Sequence, residues 1–310
     1  MKIEQLYYLK KIVETGSFTL AAEQSFISQQ SLSEAVARIE REYNFKIFIR
    51  SRKGVRLTEQ GEKFMQDVDV LLAQYEYIRR TYGDGQPKQL RICASFVATE
   101  LCWQETIVAF NKRYPEVALK IYERSDLNQI LQDVNELRYD LALMAIPCEL
   151  WKNLKQFNNV KVDTLLYDNF CLLVAPEHPF AQKKSITLAE CLKEPLILEN
   201  NHLVKNYILD YYIERYQLTK NYHVMMEVNG PSNSNSLLKK CLAVSFSFQK
   251  LNNKLEGFVT IPVKEFDPIP ICWVMPKKID EKGGVRQFKT LLQEQLQQTM
   301  PYLLLDDKDS

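Results

Sequence analysis

Amide, hydroxyl and charged side chains are concentrated on one side of the segment 29–41, where they could form hydrogen bonds with the edges of DNA bases. With helical spacing, these candidates share the face opposite an apolar stripe, and they are Gln29, Gln30, Ser33, Glu34 and Arg38. A glutamine side chain can bind adenine through two hydrogen bonds, and a glutamate can accept one from the amino group of cytosine. For Glu34, solvation or an ion pair with Arg38, four residues on, is the favoured alternative. We therefore predict that this face contacts bases in the major groove.

Short helices must hold this segment against DNA. The pattern predicts a first helix over 3–15 that Gly16 ends, a second over 18–24, a turn over 25–27, and a third that Ser28 caps and that continues to about residue 42. The residues expected to be buried are Ile3, Leu6, Leu9 and Val13 in the first helix, and Leu32, Ala35, Val36, Ile39 and Tyr43 in the third. Two short helices before a polar-faced third are typical of a helix-turn-helix unit.

A basic segment follows the third helix. It runs from Lys46 to Arg56 and contains five basic residues and no acidic one. A turn at 52–54 between two short apolar stretches predicts a two-stranded wing. We expect Arg50, Arg52 and Lys53 to contact the DNA backbone or the minor groove.

The next helix, over 59–82, has an apolar seam of heptad type. Its members recur every three or four residues, and they are Phe64, Val68, Leu71, Tyr75, Ile78 and Tyr82. A seam of this length favours pairing with the same helix of a second chain, which would present two recognition helices to a partly palindromic site. The alternative is a single helix packed on its own domain. A linker at 83–88 ends this part of the chain.

Strands and helices alternate over the rest of the chain. The strands are predicted at 90–95, 117–122, 140–146, 171–174, 196–198, 223–228, 243–246 and 271–275, and the helices at 101–114, 127–137, 188–192, 204–216, 232–240 and 281–298. This pattern indicates an α/β domain with parallel sheets. Chain crossings near Asp163 and Lys264 would divide it into two lobes with a cleft between them.

Polar residues at the ends of these strands are the candidates for lining that cleft. They are Ser95 and Thr99, Ser125 and Asp126, Asn200, Asn201 and His202, and Gly230, Pro231 and Ser232. Free N–H groups at helix starts suit a small carboxylate ligand, but ordinary helix capping explains the same residues equally well.

Composition places further bounds on function. The net charge is +1, yet residues 1–58 contain ten basic against six acidic residues, so positive charge is concentrated in the segment expected to meet DNA. Seven cysteines without CxxC spacing, no signal-peptide pattern and no long apolar run indicate a cytoplasmic protein without a membrane partner. The histidines lack metal-ligand spacing, and no catalytic motif is present, so we expect no metal, no cofactor and no enzymatic activity.

These motifs resemble the LysR-type transcriptional regulators. The similar residues in the first part of the chain are Gly16-Ser17-Phe18, Ala21-Ala22, Ser28-Gln29, Ser33, Ile39-Glu40, Phe48, Arg50, Leu57-Thr58 and Gly61. Departures from the family pattern occur at Gln30, Glu34 and Asn44. Weaker matches follow at Tyr114-Pro115, Tyr139-Asp140, Ala175-Pro176, His178-Pro179 and Glu194-Pro195.

The resemblance implies a domain plan and a set of partners. It implies a winged helix-turn-helix domain at 1–58, a dimerisation helix and hinge at 59–88, and an effector domain at 89–300 similar to type 2 periplasmic binding proteins. Lobe I would comprise 89–163 and 265–300, lobe II 164–264, and a tail 301–310. The implied partners are double-stranded promoter DNA, a second chain in a dimer or dimer of dimers, RNA polymerase and a small-molecule effector.

Two alternatives to a metabolite-sensing transcription regulator stay open at this point. One is a thiol-based redox sensor on the same scaffold, using a cysteine such as Cys191 or Cys102. The other is a solute-binding transport component, which would leave residues 1–82 without a purpose.

Overall fold

A computed structural model describes most of the chain as two units, residues 1–86 and 87–310. The described residues are 1–51, 54–83, 88–95, 101, 103–199, 203–228, 235–250, 257–277 and 284–304. The boundary between the units falls inside the linker expected from the sequence. Among the described helices, none has both the length and the apolar character needed to cross a membrane.

The first unit contains four helices and a two-stranded wing. Its elements are α1 (Ile3–Thr15), α2 (Phe18–Gln24), α3 (Gln29–Tyr43), β1 (Phe48–Ser51), β2 (Gly54–Leu57) and α4 (Glu59–Tyr82). Side chains of Ser17, Ser28 and Thr58 cap α2, α3 and α4 by accepting backbone N–H bonds. Gly16 (φ 62°) and Asn44 (φ 56°) end α1 and α3 in the left-handed conformation. These bounds agree with the sequence predictions to within one or two residues.

The core of this unit differs from the prediction at two positions. In α1, Ile12 is fully buried while Val13 is 44% exposed, so the expected burial of Val13 is wrong. In α3, Leu32, Val36 and Ile39 are buried as predicted, but Tyr43 is 42% exposed. Tyr43 instead lies against the ring of Phe64, with centroids 5.4 Å apart.

One side of α4 packs against its own unit. Met65, Val68 and Leu72 belong to the core formed by the first three helices. A hydrogen bond between Tyr7 and Glu76, and an ion pair of 2.9 Å between Lys10 and Asp69, fasten α1 to α4. The alternative of a helix packed on its own domain is therefore correct for one side of α4.

The second unit contains two five-stranded sheets. The strands are β3 (Lys88–Ala94), β4 (Val117–Glu123), β5 (Leu141–Ala145), β6 (Val160–Asp168), β7 (Phe170–Val174), β8 (Leu196–Glu199), β9 (Val224–Val228), β10 (Val244–Phe248), β11 (Val259–Pro262) and β12 (Ile269–Pro276). The order in the first sheet is β4-β3-β5-β12-β6, and in the second it is β11-β7-β10-β8-β9.

Helices cover and connect these sheets. They are α5 (Trp103–Arg113), α6 (Leu127–Asn135), α7 (Cys148–Asn153), α8 (Leu188–Cys191), a π-helix (Leu203–Leu209) that continues into α9 (Asp210–Arg215), α10 (Asn235–Lys239) and α11 (Val285–Thr299). Short 3₁₀ turns lie at Leu154–Gln156, Pro179–Gln182 and Pro301–Leu304. The predicted helix over 204–216 is thus π-helical in its first half, a form that is rare and often found at functional sites.

Both sheets are mixed rather than purely parallel. β3, β4 and β5 are parallel, but β12 runs antiparallel to both β5 and β6. In the second sheet β8, β9 and β10 are parallel, whereas β7 is antiparallel to β10 and β11. The expectation of parallel sheets is wrong for these strands, and β6 and β11 were not predicted. The α/β class itself holds.

The chain passes from the first sheet to the second through one residue. β6 stays in the first sheet as far as Asp168, five residues beyond the crossing expected at Asp163, and β7 begins at Phe170. The buried carboxylate of Asp168 accepts two bonds from the N–H of Lys250, at 2.9 and 3.1 Å. The carbonyl of Asn169 accepts a bond of 2.8 Å from the N–H of Gln249. This crossing is therefore fixed to the end of β10.

His178 is a buried polar residue of the second unit. Its Nδ1 accepts a 3.2 Å hydrogen bond from the N–H of Phe180, and its ring lies edge-on to the Phe180 ring. Burial lowers its pKa below the ordinary value of 6.5, although Glu194 acts in the opposite direction.

Candidate functional site

The polar face of α3 is open to solvent. Gln29, Gln30, Glu34 and Arg38 are exposed and Ser33 is partly exposed, so the structure places all five predicted base-contacting residues on one side of one helix. Leu32, Val36 and Ile39 hold the opposite side in the core. The first turn of this helix contains no acidic residue that would repel phosphate.

Glu34 interacts with Gln30 rather than with Arg38. The amide Nε2 of Gln30 donates a 3.1 Å hydrogen bond to Oε1 of Glu34, four residues on. The favoured ion pair of Glu34 with Arg38 does not appear among the described contacts. This bond uses one of the two amide protons of Gln30 and links two of the predicted base-contacting side chains.

A buried glutamate joins the recognition helix to the wing. Glu40, on α3, is 9% exposed, and its Oε1 accepts bonds from the N–H groups of Ile47 (3.0 Å) and Phe48 (3.4 Å). Its Oε2 lies 2.6 Å from Nζ of Lys46, whose side chain is 76% exposed. Sequence analysis missed this role, although a carboxylate on the inner side of an amphipathic helix is an unusual pattern that signals it.

The same segment is held from its other side by the start of α4. The hydroxyl of Thr58 donates to the carbonyl of Lys46 (2.6 Å), and its N–H donates to the carbonyl of Ile47 (2.9 Å). A Cβ added to Gly61 would lie 2.2 Å from that carbonyl, so only glycine fits this close approach.

The wing also contacts the end of α1. The N–H of Val55 donates a 3.0 Å bond to the carbonyl of Gly16, and the rings of Phe18 and Phe48 meet edge to face. The strand register pairs Arg50 with Val55, which fixes the backbone position of Arg50. Arg52 and Lys53 lie outside the described residues. The wing is therefore bonded to the end of α1 as well as to α3.

The outer face of α4 keeps apolar side chains in solvent. Leu71 and Ile78 are 46% and 54% exposed, and Tyr75 is partly buried. Of the predicted seam, Val68 is only 2% exposed within its own core, and Phe64 contacts Tyr43 and Phe45. The surface of Val68 is already covered by its own core, so its assignment to the seam is corrected. Phe64 is only partly buried, and its place in the seam stays a prediction. The side chain of Tyr82 is outside the described residues.

In the second unit, predicted cleft residues meet at the carboxyl ends of the first sheet. Ser95 follows β3 and donates its N–H to the carbonyl of Leu143 on β5, at 3.0 Å. Arg124, just after the neighbouring strand β4, donates its N–H to Ala94 at 3.1 Å. Ser125 and Asp126 come next, so the ends of β3 and β4 bring these predicted residues to one edge.

Ser95 is unusual because it is a buried polar residue. The residue is 1% exposed, and its Oγ has no hydrogen bond within the part of the chain that the structure describes. Ser125 is exposed, and Asp126 caps α6 by accepting the N–H of Gln129 at 3.1 Å. Capping thus accounts for Asp126, whereas the buried Oγ of Ser95 lacks a partner among the described residues.

The π-helix contacts α6 through Tyr207. Tyr207 is hydrogen-bonded to the amide of Asn128 on α6. In this bond the Nδ2 of Asn128 donates to the hydroxyl of Tyr207. Burial, followed by the charges of Asp126 and Glu149, raises the pKa of Tyr207 above the ordinary value. Tyr207 was not predicted, and its sequence neighbours give no signal of this role. The remaining predicted residues lie outside the described ranges, namely Thr99, Asn200, Asn201, His202, Gly230, Pro231 and Ser232.

The buried cysteines have little nucleophilic character. Burial raises the pKa of the Cys191 thiol to about 12, and it raises the pKa of the Cys93, Cys171 and Cys272 thiols to about the same value. A thiol that stays protonated at neutral pH is a poor nucleophile, which argues against Cys191 as a redox sensor. Cys102, the other candidate named, lies outside the described residues.

Comparison with known proteins agrees with this geometry. Residues 3–62 match the family model described as bacterial regulatory helix-turn-helix protein, lysR family, and residues 83–297 match the LysR substrate binding domain. A protein of Phaeodactylum tricornutum named "Probable RuBisCO transcriptional regulator" is 28% identical over 233 residues, which cover 73% of this chain and 74% of that protein. The Escherichia coli protein "Uncharacterized HTH-type transcriptional regulator YnfL" is 25% identical over 306 residues, 93% of this chain and 97% of that one.

Solved structures show the same fold. A full-length OxyR variant from Pseudomonas aeruginosa superposes with a TM-score of 0.65 at 19% identity, covering 94% of this chain and 95% of that one. The matched family models describe transcriptional regulators rather than enzymes. With a helix-turn-helix domain at its start and an effector-binding domain after it, this chain belongs to the LysR family of transcriptional regulators.

Proposed function

We propose that two copies of the chain bind one promoter site, with α3 of each copy in the major groove and the wing on the adjacent backbone. The observation that carries this proposal is the exposed polar face of α3 beside a wing that Glu40 fastens to that helix. An exposed polar helix face of this kind suits base edges, and the basic wing suits phosphates.

The residues proposed to read bases are Gln29, Gln30, Ser33, Glu34 and Arg38, with Arg50, Arg52 and Lys53 on the backbone or minor groove. Gln29→Ala should reduce discrimination between the preferred duplex and random duplex by about 5- to 150-fold, the range for one bidentate base contact. Gln66→Ala is the matched control, because Gln66 is an exposed amide on α4. Equal discrimination by both variants would contradict this docking.

The outer face of α4 supplies the proposed contact between the two copies. Leu71, Tyr75 and Ile78 leave apolar surface in solvent along one side of a 24-residue helix, a feature that favours pairing with the same helix. A Leu71→Asp, Ile78→Asp double variant should have half the parent's mass or less in sedimentation equilibrium. An unchanged mass would place the contact elsewhere. By family resemblance, two such dimers would bend the promoter and alter access of RNA polymerase.

The cleft edge at Ser95, Ser125 and Asp126 is the proposed effector site. The hydroxyl of Ser95, which has no partner among the described residues, can donate to a carboxylate of a small molecule. The start of α6 is already capped by the carboxylate of Asp126. An effector controls DNA binding only if it prefers one arrangement of the protein.

Thermal-shift screening against a panel of small carboxylates tests the effector site. A stabilising compound should lose its effect in Ser95→Ala. The control is Ser245→Ala, because Ser245 already donates its hydroxyl to the carbonyl of Ile197, at 2.9 Å. If one compound raises the melting temperatures of the parent, Ser245→Ala and Ser95→Ala equally, the assignment of the effector site to this edge is wrong.

A further inference from the structure

Phe26 occupies the turn between α2 and α3 in an unfavourable way. Its side chain is 95% exposed, the highest value among the large exposed apolar residues that the structure describes. Its backbone has φ of 55°, in the left-handed region that favours glycine and asparagine. A bulky residue in this conformation is uncommon and invites a functional explanation.

The backbone of this turn does not require a phenylalanine. The N–H of Phe26 donates to the carbonyl of Glu23, and the N–H of Ile27 donates to that of Ala22, both at 3.1 Å. This is the Schellman pattern of a helix end, in which the left-handed position is most often glycine. The turn would form at least as well with glycine or asparagine at position 26.

Leu137 shows how another bulky residue with a positive φ is stabilised in this chain. Leu137 also has a positive φ, of 62°, but its side chain is only 7% exposed and packs in the core. Apolar burial therefore offsets the backbone strain at Leu137. Phe26 gains no such burial, so a contact outside the chain is the physical reason left for its side chain.

The position of Phe26 indicates that contact. It lies two residues before Ser28, which caps α3, and three before Gln29, at the end of the recognition helix that enters the groove. We propose that Phe26 contacts DNA through its ring, against an apolar group at the groove edge, either a deoxyribose or a thymine methyl group. This inference rests on the proposed docking of α3.

The test uses Phe26→Asn in the full-length protein. Asparagine suits the left-handed position, so the melting temperature should be unchanged or higher. The probe is a duplex selected from a random-sequence library with the unsubstituted protein. Affinity for it should fall about tenfold, the scale expected when apolar burial of an aromatic ring is lost.

Two further measurements identify the nature of the contact. The slope of affinity against salt concentration should stay the same, because an apolar contact releases no counterions. Phe26→Leu should retain part of the affinity. Replacing thymine by uracil in the probe distinguishes a methyl contact, which weakens parental binding, from a deoxyribose contact, which does not.

Val13→Gln provides a control, because Val13 is an exposed apolar residue on α1 of the same unit. The inference is overturned if Phe26→Asn binds the probe within twofold of the parent, or if its salt slope becomes shallower. Gln29→Ala separates this failure from failure of the docking. If Gln29→Ala loses discrimination while Phe26→Asn binds normally, only the inference about Phe26 fails.

Discussion

Removing the carboxylate of Glu40 should loosen the wing and weaken DNA binding. Glu40→Ala deprives the N–H of Ile47, a fully buried residue, of its acceptor at 3.0 Å. An unsatisfied buried N–H costs about 1–3 kcal/mol. The bond to Phe48 is longer, at 3.4 Å, and adds less. The Lys46 ion pair contributes about 0–1 kcal/mol and is discounted further, because the lysine is 76% exposed. We expect a total loss of about 2–3 kcal/mol.

A matched pair of substitutions separates the two interactions of this carboxylate. Glu40→Gln keeps an oxygen that can replace Oε1 and removes only the charge, so it should lose about 1 kcal/mol or less. Lys46→Met removes the ion pair and leaves the backbone bonds intact. Both should therefore resemble the parent, whereas Glu40→Ala should not.

Three assays measure how Glu40→Ala changes stability and DNA binding. The melting transition of residues 1–86 should fall by about 10–20 °C in Glu40→Ala, on the scale of a unit of this size. Hydrogen exchange at the amide of Ile47 should accelerate, and affinity for the selected duplex should fall while Glu40→Gln retains it. The reasoning is refuted if Glu40→Ala and Glu40→Gln melt and bind alike, or if Lys46→Met is as damaging as Glu40→Ala.

Three other outcomes follow from the geometry. Gly61→Ala should destabilise residues 1–86 by about 3 kcal/mol, since its Cβ would lie 2.2 Å from the carbonyl of Ile47; a melting temperature equal to the parent's would contradict this. Burial lowers the pKa of His178, so the unfolded chain takes up a proton at this histidine at higher pH than the folded chain does. The contribution of His178 to the free energy of unfolding is therefore fully present above pH 6.5 and decreases as the pH falls towards the lowered pKa. His178→Asn keeps an acceptor and should flatten that part of the melting profile; an equal pH dependence would count against it. In the folded protein, iodoacetamide should modify exposed Cys148 on the order of a hundredfold faster than Cys191, and mass spectrometry of the labelled peptides will show whether it does.

The sequence predicted the first unit well because the signals that end its helices are local. Ser28 and Thr58 cap helices through bonds to residues three positions away, and Gly16 and Asn44 end them by their own backbone conformation. Such features depend on neighbours in the chain and need no knowledge of tertiary contacts.

Features that depend on distant contacts were predicted less well. Ile12 and Val13 are adjacent apolar residues in α1. Which of them is buried depends on how α2 and α3 pack against that helix, and Ile12 is the buried one. Glu40 gains its role from backbone groups seven and eight residues away, just before and at the start of β1. The antiparallel pairing of β12 joins strands more than a hundred residues apart, which periodicity cannot detect.

The candidate sites show the same division. The exposed face of α3 followed from helical spacing alone. By contrast, that Val68 is buried while Leu71 is exposed depends on where the other helices pack against α4. At the cleft, strand ends identified Ser95, but its partnerless hydroxyl and the approach of Tyr207 depend on folding.

The crossing at Asn169 constrains how the effector domain can move. A single residue separates β6 from β7, and Asp168 and Asn169 are bonded to residues 249 and 250 at the end of β10. Sliding of one lobe past the other would break these bonds together, while a swing about this point would preserve them. A molecule bound between the lobes would therefore change their relative rotation about Asn169. Its size would determine how far the two lobes are separated.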